Sequence, residues 1–579
     1  MKNYSYKDIK TKLSQSKINN IKIKKINPLQ MHKNIYKLLD AKYRYYQIYH
    51  NRQYSNINKF PENNEYYLKY QNYHTIKNDK SYSYKNLNLL KLKKNNSINL
   101  KNNSNQIIPL IQGKHFRTIN EKNNFSSEKI TFNPNKNYFI LISGNNENLI
   151  RKCFEHRENW EEIKYLNLNN KKNCNLIWSP LSNSINFERL NEKKENFKQI
   201  VNHFENHNQL TNKLNLFINL LKFCENNNQN LFNFFPLTFP IQFGSINYEN
   251  QINSFKYLFN NIKNFINKNN NEKYSNFYNY FNYENGKKIG IKTEILIPKN
   301  FYNNNNLWII KPINYNRGQF INICNNLNSI TKTIKNFYEG NKINILPKIN
   351  NNNNNLNKEN IFSKILIQKY LEDPLLFNGR KFDMRIWVLL NFDMNIYVFK
   401  ECHLKSSSEL FNLYNNNLYI HLTNYSIQKH NKNFEKFEQG NEISFKDFEK
   451  NCHISMKEIL PKIYNIINIS MKSVKEIINL HKHKFCFELF GYDFIFDKDF
   501  NPFLLEINTN PGLEFSSILI NKLLPRMIDD LFRLTIDKIF YTKYSLDHID
   551  NNGKYVSSFN VDGYNNNENL WKLIGNIKI

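Results

Sequence analysis

The stretch ELFGYDFIFDKDFNPFLLEINTNPG, residues 488 to 512, constrains this chain more than any other. Two runs rich in aromatic and branched side chains flank the polar turn DKDFNP, which reads as a β-hairpin. With the turn centred between Asp499 and Phe500, Asp493 faces Glu506 across the strands. Glu506 and Asn508 then share a face, because strand side chains alternate. Facing carboxylates repel unless a cation lies between them, and two acids with an amide oxygen suit Mg²⁺ bridging nucleotide phosphates. Alone, the pattern D-x12-E-x-N is weak, since strand edges also carry polar residues for solvation.

Three further stretches carry chemistry. In LWIIKPINYNRGQF, residues 307 to 320, a β-run delivers Lys311 and is followed by a polar loop holding Arg317 and Gly318, a common way to hold phosphates; a basic surface turn is the plainer alternative. In ILIQKYLEDPLLFNGRKFDMRIWVLL, residues 365 to 390, the strand ILIQKYL ends where backbone groups can meet a nucleotide base. Lys381, Asp383 and Arg385 alternate there with Phe382, Met384 and Ile386, so the polar side chains share one face, and a forked Arg beside a Lys suits a phosphate or acyl phosphate. A half-exposed strand with a salt bridge is the bland reading. In HLTNYSIQKH, residues 421 to 430, Thr423 and Asn424 are candidates for ligation or positioning, while His421 and His430 read as structural.

At 579 residues, with 40% hydrophobic and 15% aromatic side chains, the chain is globular with polar insertions. Its net charge of +32, from 81 Lys and Arg against 49 Asp and Glu, points to polyanionic partners, although Asn and Lys are abundant throughout. Seven scattered cysteines without a CxxC pair fit reduced thiols and argue against a disulfide framework or a zinc site. The start, MKNYSYKDIK, lacks an apolar core, and no run of 18 apolar residues occurs, so a soluble intracellular protein that does not engage membranes is expected.

Along the chain, residues 1–130 are Asn- and Lys-rich and are expected to be mostly irregular. Residues 138–245 alternate strand and helix signals: YFILIS, a helical stretch reaching Trp160, the strand LIW at 176–178, and a helix with Leu210, Leu214, Phe217, Ile218 and Leu221 on one face. This predicts a small α/β N-terminal domain. Residues 246–304 read as an Asn-rich insertion or linker, and a second insertion contains NNNNN at 351–355. Catalytic signals concentrate in 305–540, with a helix around Met456, Leu460, Ile463 and Ile467, leaving a C-terminal tail at 541–579.

Taken in order, the Lys in IIKP, QKYLEDPLL, KFDMRIWVLL, HLTNYSIQKH and FGYDFIFD with LLEINTNP resemble the tubulin tyrosine ligase-like family, amino-acid ligases with an ATP-grasp fold. Residues 201–239 and LLPRMIDDLFRLTIDKIF at 523–540 extend the resemblance. It implies an α/β (α+β) ATP-grasp fold behind a small α/β domain, with ATP and Mg²⁺ as cofactors. Asp493, Glu506 and Asn508 would bind Mg²⁺. Lys311 and Lys381 would hold phosphates beside Arg317 and Gly318, and Gln368, Lys369, Tyr370 and Leu371 would line the adenine pocket. Arg385 would steady the acyl phosphate with Lys381, Asp383 and Lys405 around it, and Thr423 and Asn424 would complete the amino-acid end.

The resemblance further implies a monomer that joins a free amino acid, glutamate favoured and glycine the alternative, to acidic tubulin tails, in cytoplasm or on microtubules, axonemes or basal bodies. Three residues depart from the family pattern. Phe320 replaces a second glycine of the phosphate loop and would stiffen it; Lys405 replaces an Arg and loses the bidentate fork; Gly512 replaces another small residue. A microtubule-binding protein with a dead nucleotide site is the alternative from another class. Nucleic-acid binding rests on charge alone, with no recognised module.

Overall fold

The computed structural model describes residues 132–578 apart from 165–172, 192–197, 268–273, 285–286, 303–304, 314 and 340–363. The expectations for residues 1–130 and for the insertion at 351–355 lie outside the described residues.

β1 (Asn137–Leu141) is the apolar run NYFIL, buried over its last four positions, as a central parallel strand must be. It pairs in parallel with β2 (Trp160–Glu162) and β3 (Leu176–Trp178), and β3 pairs with β4 (Ile200–Val201). α1 (Glu147–Phe154) follows β1, capped by Asn146, whose side chain accepts from the Leu149 N–H. The helix stops at Phe154, and Trp160 opens β2 instead of ending the helix as predicted. Arg157 lies between them with its guanidinium buried against Asp529 and Asp537, and that anchoring ends the helical path. α2 (Lys213–Asn226) takes in most of the predicted helix, but Leu210 falls in a separate turn, Asn208–Thr211, because Asn212 is extended, and the buried face of α2 runs through Leu216, Phe217, Leu220, Leu221 and Cys224, leaving Leu214 and Ile218 half-buried.

β5 (Thr238–Gln242), β8 (Trp308–Pro312), β9 (Asn322–Cys324) and β10 (Lys364–Lys369) form an antiparallel sheet in the order β5-β10-β8-β9. Pro240 is tolerated because β5 is an edge strand. The stretch predicted as a linker contains α3 (Tyr248–Asn267), a 20-residue helix that buries Ile252, Phe255, Leu258, Phe259 and Ile262. Phe255 meets Trp308 edge-on at 5.0 Å. The helical period was masked because six of the helix's residues are Asn, a poor helix former whose presence there tertiary burial overrides. After it, β6 (Tyr274–Glu284) and β7 (Lys287–Ile297) pair as a two-stranded hairpin.

The largest sheet is antiparallel: β14 (Glu442–Ser444), β13 (Asn395–Ser406), β12 (Arg380–Leu390), β15 (Glu488–Phe496) and β16 (Pro502–Thr509), in that order. The short β11 (Leu376–Phe377) pairs with β12. β17 (Trp571–Asn576) pairs with β13, so part of the stretch predicted as a tail adds a strand to this sheet. Trp571 is buried against Phe399 at 5.3 Å. The helix predicted around Met456 runs Met456–Lys472.

α4 (Ile518–Leu534) lies between the parallel sheet and the largest one. Phe139, Leu149 and Trp178 share one apolar cluster with Leu523, Met527 and Phe532 of α4 and with Trp387, Phe399 and Trp571. The predicted N-terminal α/β module therefore shares its core with the C-terminal part, and residues 132–579 form one compact unit. No helix among the described residues is long and apolar enough to cross a membrane, and all seven cysteines are free thiols.

Candidate active site

The hairpin expected at 488–512 forms, with its turn built by the Asp497 carboxylate, which accepts from the N–H groups of Asp499 and Asn501 at 3.0 and 2.8 Å. The turn centres on Asp499, one half-step earlier than predicted, pairing Phe494 with Leu504. Uninterrupted, that register would set Asp493 against Leu505. A bulge at Leu505 shifts it by one, and Asp493 lies opposite Glu506 after all.

β12 runs between β13 and β15 and supplies the centre of the charged face. Asp383 lies opposite Lys405, and Arg385 lies opposite Asp493. The Arg385 fork donates to both Asp493 oxygens at 2.6 and 2.9 Å, while Lys405 Nζ is 3.2 Å from Asp493 and 3.3 Å from Asp383. Asn508 donates to Asp493 at 3.1 Å and to Glu506 at 3.3 Å. Room for the Arg385 stem comes from Gly491, where a Cβ would lie 3.1 Å from Arg385 and 3.0 Å from Pro511.

These pairings set the electrostatics. Burial disfavours the Asp493 anion, but Arg385 and Lys405 outweigh it and hold the carboxyl well below its usual range. Burial pushes Asp383 upward, only partly offset by Lys405. Its Oδ1 is buried without a hydrogen-bond partner among the described residues, although the Thr423 hydroxyl is near enough to favour its charged form. That unpartnered oxygen lines the same cleft as the carboxylates of Asp493 and Glu506, and three acids with the amide of Asn508 beside them are a hard-oxygen set of the kind that suits a divalent ion such as Mg²⁺. An ion on Asp493 would compete with Arg385 for the same oxygens, and Asn508 would present its oxygen only after turning its amide.

Across the cleft the antiparallel sheet supplies one cation, Lys311 of β8, and β12 itself supplies a second, Lys381. Lys311 Nζ donates to Gln368 Oε1 at 2.8 Å, and Gln368 in turn donates to Thr238 Oγ1 at 2.9 Å. Lys381 Nζ donates to the His421 carbonyl at 2.7 Å and to the Tyr370 hydroxyl at 3.1 Å. Burial pushes Lys311 down to about 8 and Lys381 down to about 7. Both ammonium groups are thus held in a site that favours them only when an anion arrives. The same burial, with Lys381 nearby, pulls His421 down to about 4, so its ring is a neutral support hydrogen-bonded to Tyr370 and Asn415.

The loop after β8 closes one side. Arg317, Gly318 and Phe320 all have left-handed backbones, with φ of 58°, 75° and 57°. At Gly318 a Cβ would come within 2.4 Å of Ile427 and 3.0 Å of Asn424 Oδ1, so only glycine lets the loop rest on the 424–427 turn. Ser426 Oγ ties that turn to the Arg317 carbonyl at 2.9 Å. Phe320 holds a conformation that costs a bulky residue about 1 kcal/mol, with its ring edge-on to Tyr315 at 5.0 Å.

One open cleft of about 930 Å³, part of it bulk solvent, is lined by Lys311, Arg317, Gly318, Gln368, Lys369, Tyr370, Leu371, Lys381, Asp383, Thr423, Asn424, Asp493 and Glu506. Arg385, Lys405 and Asn508 stand directly behind that lining, each bonded to Asp493. One expected side chain turns away. Lys369 Nζ is buried on Glu372 and the Leu307 carbonyl at 2.6 and 2.8 Å, so the residue borders the cleft through its backbone. This follows from strand alternation, which sends neighbouring Gln368 and Lys369 to opposite faces.

Sequence reasoning missed Lys213 and Glu442. Lys213 opens α2, lines the cleft and lies 3.6 Å from Glu506. A cation in the first turn of a helix opposes the helix dipole, and that misfit was the available signal. Glu442 lies opposite Lys405 in β14 and receives the hydroxyls of Ser516 and Ser517, with burial raising its pKa. No local pattern marks it.

The chain is 32% identical over 251 residues to tubulin glycylase 3D of Tetrahymena thermophila, covering 41% of this chain and 22% of that protein. It is 34% identical over 247 residues to tubulin glycylase 3F of the same organism, covering 41% and 25%. Against the probable alpha-tubulin polyglutamylase Ttll1 of T. thermophila the identity is 28% over 256 residues, covering 42% and 57%. The matches thus span only about a quarter or less of the two glycylases. A family model described as the tubulin-tyrosine ligase family matches residues 190–543, and with it the α/β, ATP-grasp-like fold expected from the sequence. That match takes in well over half of the chain and every residue lining the cleft, and the chain belongs to the tubulin-tyrosine ligase family.

Proposed function

We propose that this protein is an ATP- and Mg²⁺-dependent ligase that joins a free amino acid to carboxylates of tubulin tails. The observation that carries the reading is the meeting, in one cleft, of half-buried Lys311 from β8 and buried Lys381 from β12 with the carboxylates of Asp493 and Glu506, with Asn508 bonded to both acids from behind. In this scheme the tail carboxylate oxygen attacks the γ-phosphorus of ATP, and ADP leaves. The amine of the incoming amino acid then attacks the acyl carbon, expels phosphate, loses a proton and forms the amide. Lys311 and Lys381 hold phosphates, and Arg385 meets the charge that develops on the acyl phosphate. Thr423 and Asn424 border the amino-acid end, and the backbone at Lys369 to Leu371 borders the base.

The excess of 32 positive charges supports an acidic partner such as a tubulin tail, drawn in by long-range attraction. Glutamate is the donor favoured by the sequence reading. Glycine has its own support, since the two relatives described above at 32% and 34% identity are named glycylases. Action at cytoplasmic or axonemal microtubules follows from the substrate. The deciding experiment is incorporation of labelled glutamate, glycine and tyrosine into purified microtubules with ATP and Mg²⁺, beside Glu506→Gln. Glu506 is 28% exposed in its side chain, so the variant should fold. Incorporation of one amino acid, lost in the variant, supports the ligase and names its donor. No incorporation with microtubule binding intact and no nucleotide bound would favour a dead-site binder.

Nucleotide affinity should depend on pH with a defined sign. Free Lys381 and Lys311 titrate at about 7 and about 8, and bound phosphates raise both values, so the complex holds more protons than the free protein. Affinity is therefore highest below pH 7 and falls as pH rises through 7 to 9, by about tenfold or more. Calorimetry in two buffers of different ionisation heat should show proton uptake at pH 8; a flat affinity without uptake would sink the assignment. Separately, Phe320→Gly should relieve the left-handed strain and tighten nucleotide binding about two- to fivefold, read by titration with a fluorescent nucleotide. Weaker binding would show instead that the ring's contact with Tyr315 shapes the loop.

A further inference from the structure

Away from the cleft, two segments far apart in sequence meet around one carboxylate. Glu205 follows β4, and His481 and His483 precede β15. His481 Nδ1 lies 2.7 and 2.9 Å from the two Glu205 oxygens, and His483 Nε2 lies 3.5 Å from one of them. One ligand atom from each residue falls within 4.8 Å of the other two. An ion about 2.0–2.1 Å from each of three ligands needs those ligands about 3.3 Å apart in tetrahedral geometry. The observed separations bracket that value, so small side-chain movements suffice.

The scaffold around the cluster is built rather than incidental. Asn206 and Asn479 both adopt left-handed backbones, with φ of 62° and 54°. Asn206 donates to the Ile477 carbonyl at 3.1 Å, and the Asn479 N–H donates to the Glu205 carbonyl at 3.0 Å. The Asn479 side chain accepts from the His483 N–H at 2.9 Å and donates to its carbonyl at 3.0 Å, and the His481 N–H donates to the Glu205 carboxylate at 3.2 Å. The parallel bridge between Val201 and Cys486 fixes the two segments beside one another. The His483 ring is buried against Phe187, whereas the His481 side chain is 64% exposed, leaving the cluster closed on one side and open on the other.

We propose that Glu205, His481 and His483 form a binding site for Zn²⁺, with the fourth position open to water. Two imidazoles and one carboxylate suit this ion by softness and by coordination number. Burial lowers the pKa of His483, which favours the neutral ring that ligates. The absence of a CxxC pair speaks only to a thiolate site, and this one uses no sulfur. The ion would pin the segment leading into β15, the strand that carries Asp493, to the segment leaving β4.

The test uses the full chain, stripped with a chelator and titrated with Zn²⁺ against a chromophoric competitor, with Co²⁺ as the spectroscopic probe. The expected result is one equivalent bound at micromolar affinity or tighter, with a Co²⁺ spectrum lacking sulfur charge transfer. His481→Ala, at an exposed position, should weaken binding at least about 10–100-fold while circular dichroism stays unchanged. Glu205→Gln, which keeps size and hydrogen bonding, should weaken it comparably. Lack of stoichiometric binding, a sulfur band, or undiminished affinity in both variants would overturn the site and leave an ordinary histidine–carboxylate cluster.

Discussion

Asp493→Asn is expected to lower amino-acid incorporation by about 10²–10³-fold and to destabilise the fold by about 3 kcal/mol. The carboxylate accepts four hydrogen bonds, two from the Arg385 fork and one each from Lys405 and Asn508. With asparagine there, the nearly buried Arg385 and Lys405 lose their shared salt-bridge partner; among the described residues Lys405 keeps the Asp383 carboxylate at 3.3 Å, and Glu506 and Glu442 act on the pair only from farther off. Removing one partner of a buried pair is costly because it strands the others. Catalysis should suffer even where the variant is fully folded, because the same oxygens belong to the set proposed to hold Mg²⁺. Urea unfolding followed by circular dichroism gives the first number, and labelled amino-acid incorporation at a temperature where the variant is folded gives the second. Incorporation within about twofold of the parent protein would remove Asp493 from the reaction.

Arg157→Met should cost about 3–5 kcal/mol of folding stability without touching the cleft. The guanidinium is fully buried, donating to Asp529 at 2.9 Å, to Asp537 at 2.8 Å, and to the Cys153 carbonyl. It also lies over the Phe532 ring at 5.3 Å. Asp529 retains Tyr555 and Ser557 as donors, and Asp537 retains Thr542 and Tyr544, but none of these carries charge. Two carboxylates would then remain buried without a cation. The diagnostic is the combination of Arg157→Met with Asp529→Asn and Asp537→Asn, which should recover part of the loss in urea unfolding because the stranded charges are gone. If Arg157→Met alone costs less than about 1 kcal/mol, the cluster does not tie the parallel sheet to α4.

How much of this was legible from the residues varies element by element. Strand alternation placed Lys381, Asp383 and Arg385 on one face of β12, and Glu506 with Asn508 on one face of β16, because a period of two is a property of the local backbone. The facing of Asp493 and Glu506 was anticipated by assuming a turn half a residue later than the real one, and the Leu505 bulge made up the difference. A bulge leaves little trace in a pattern of alternating side chains. α3 was read as linker because six Asn dilute its apolar periodicity, and β17 as tail because WKLIGN is short, carries Gly575 and buries only Trp571. Their burial is set by the partners that receive Phe255 and Trp571, which no local window contains.

By itself the sequence determined which donors and cations the strands present, since side-chain identity and alternation are local. Tertiary structure alone decided the strength and the company of those groups. It buried Lys311 and Lys381 until their pKa values fell to about 8 and about 7, and it brought Lys213 to Glu506. It gathered Glu205 with His481 and His483, and merged the first sheet with α4 into one core. Each of these depends on contacts between residues far apart in the chain and on exclusion of water from between them, and desolvation is a property of the packed whole.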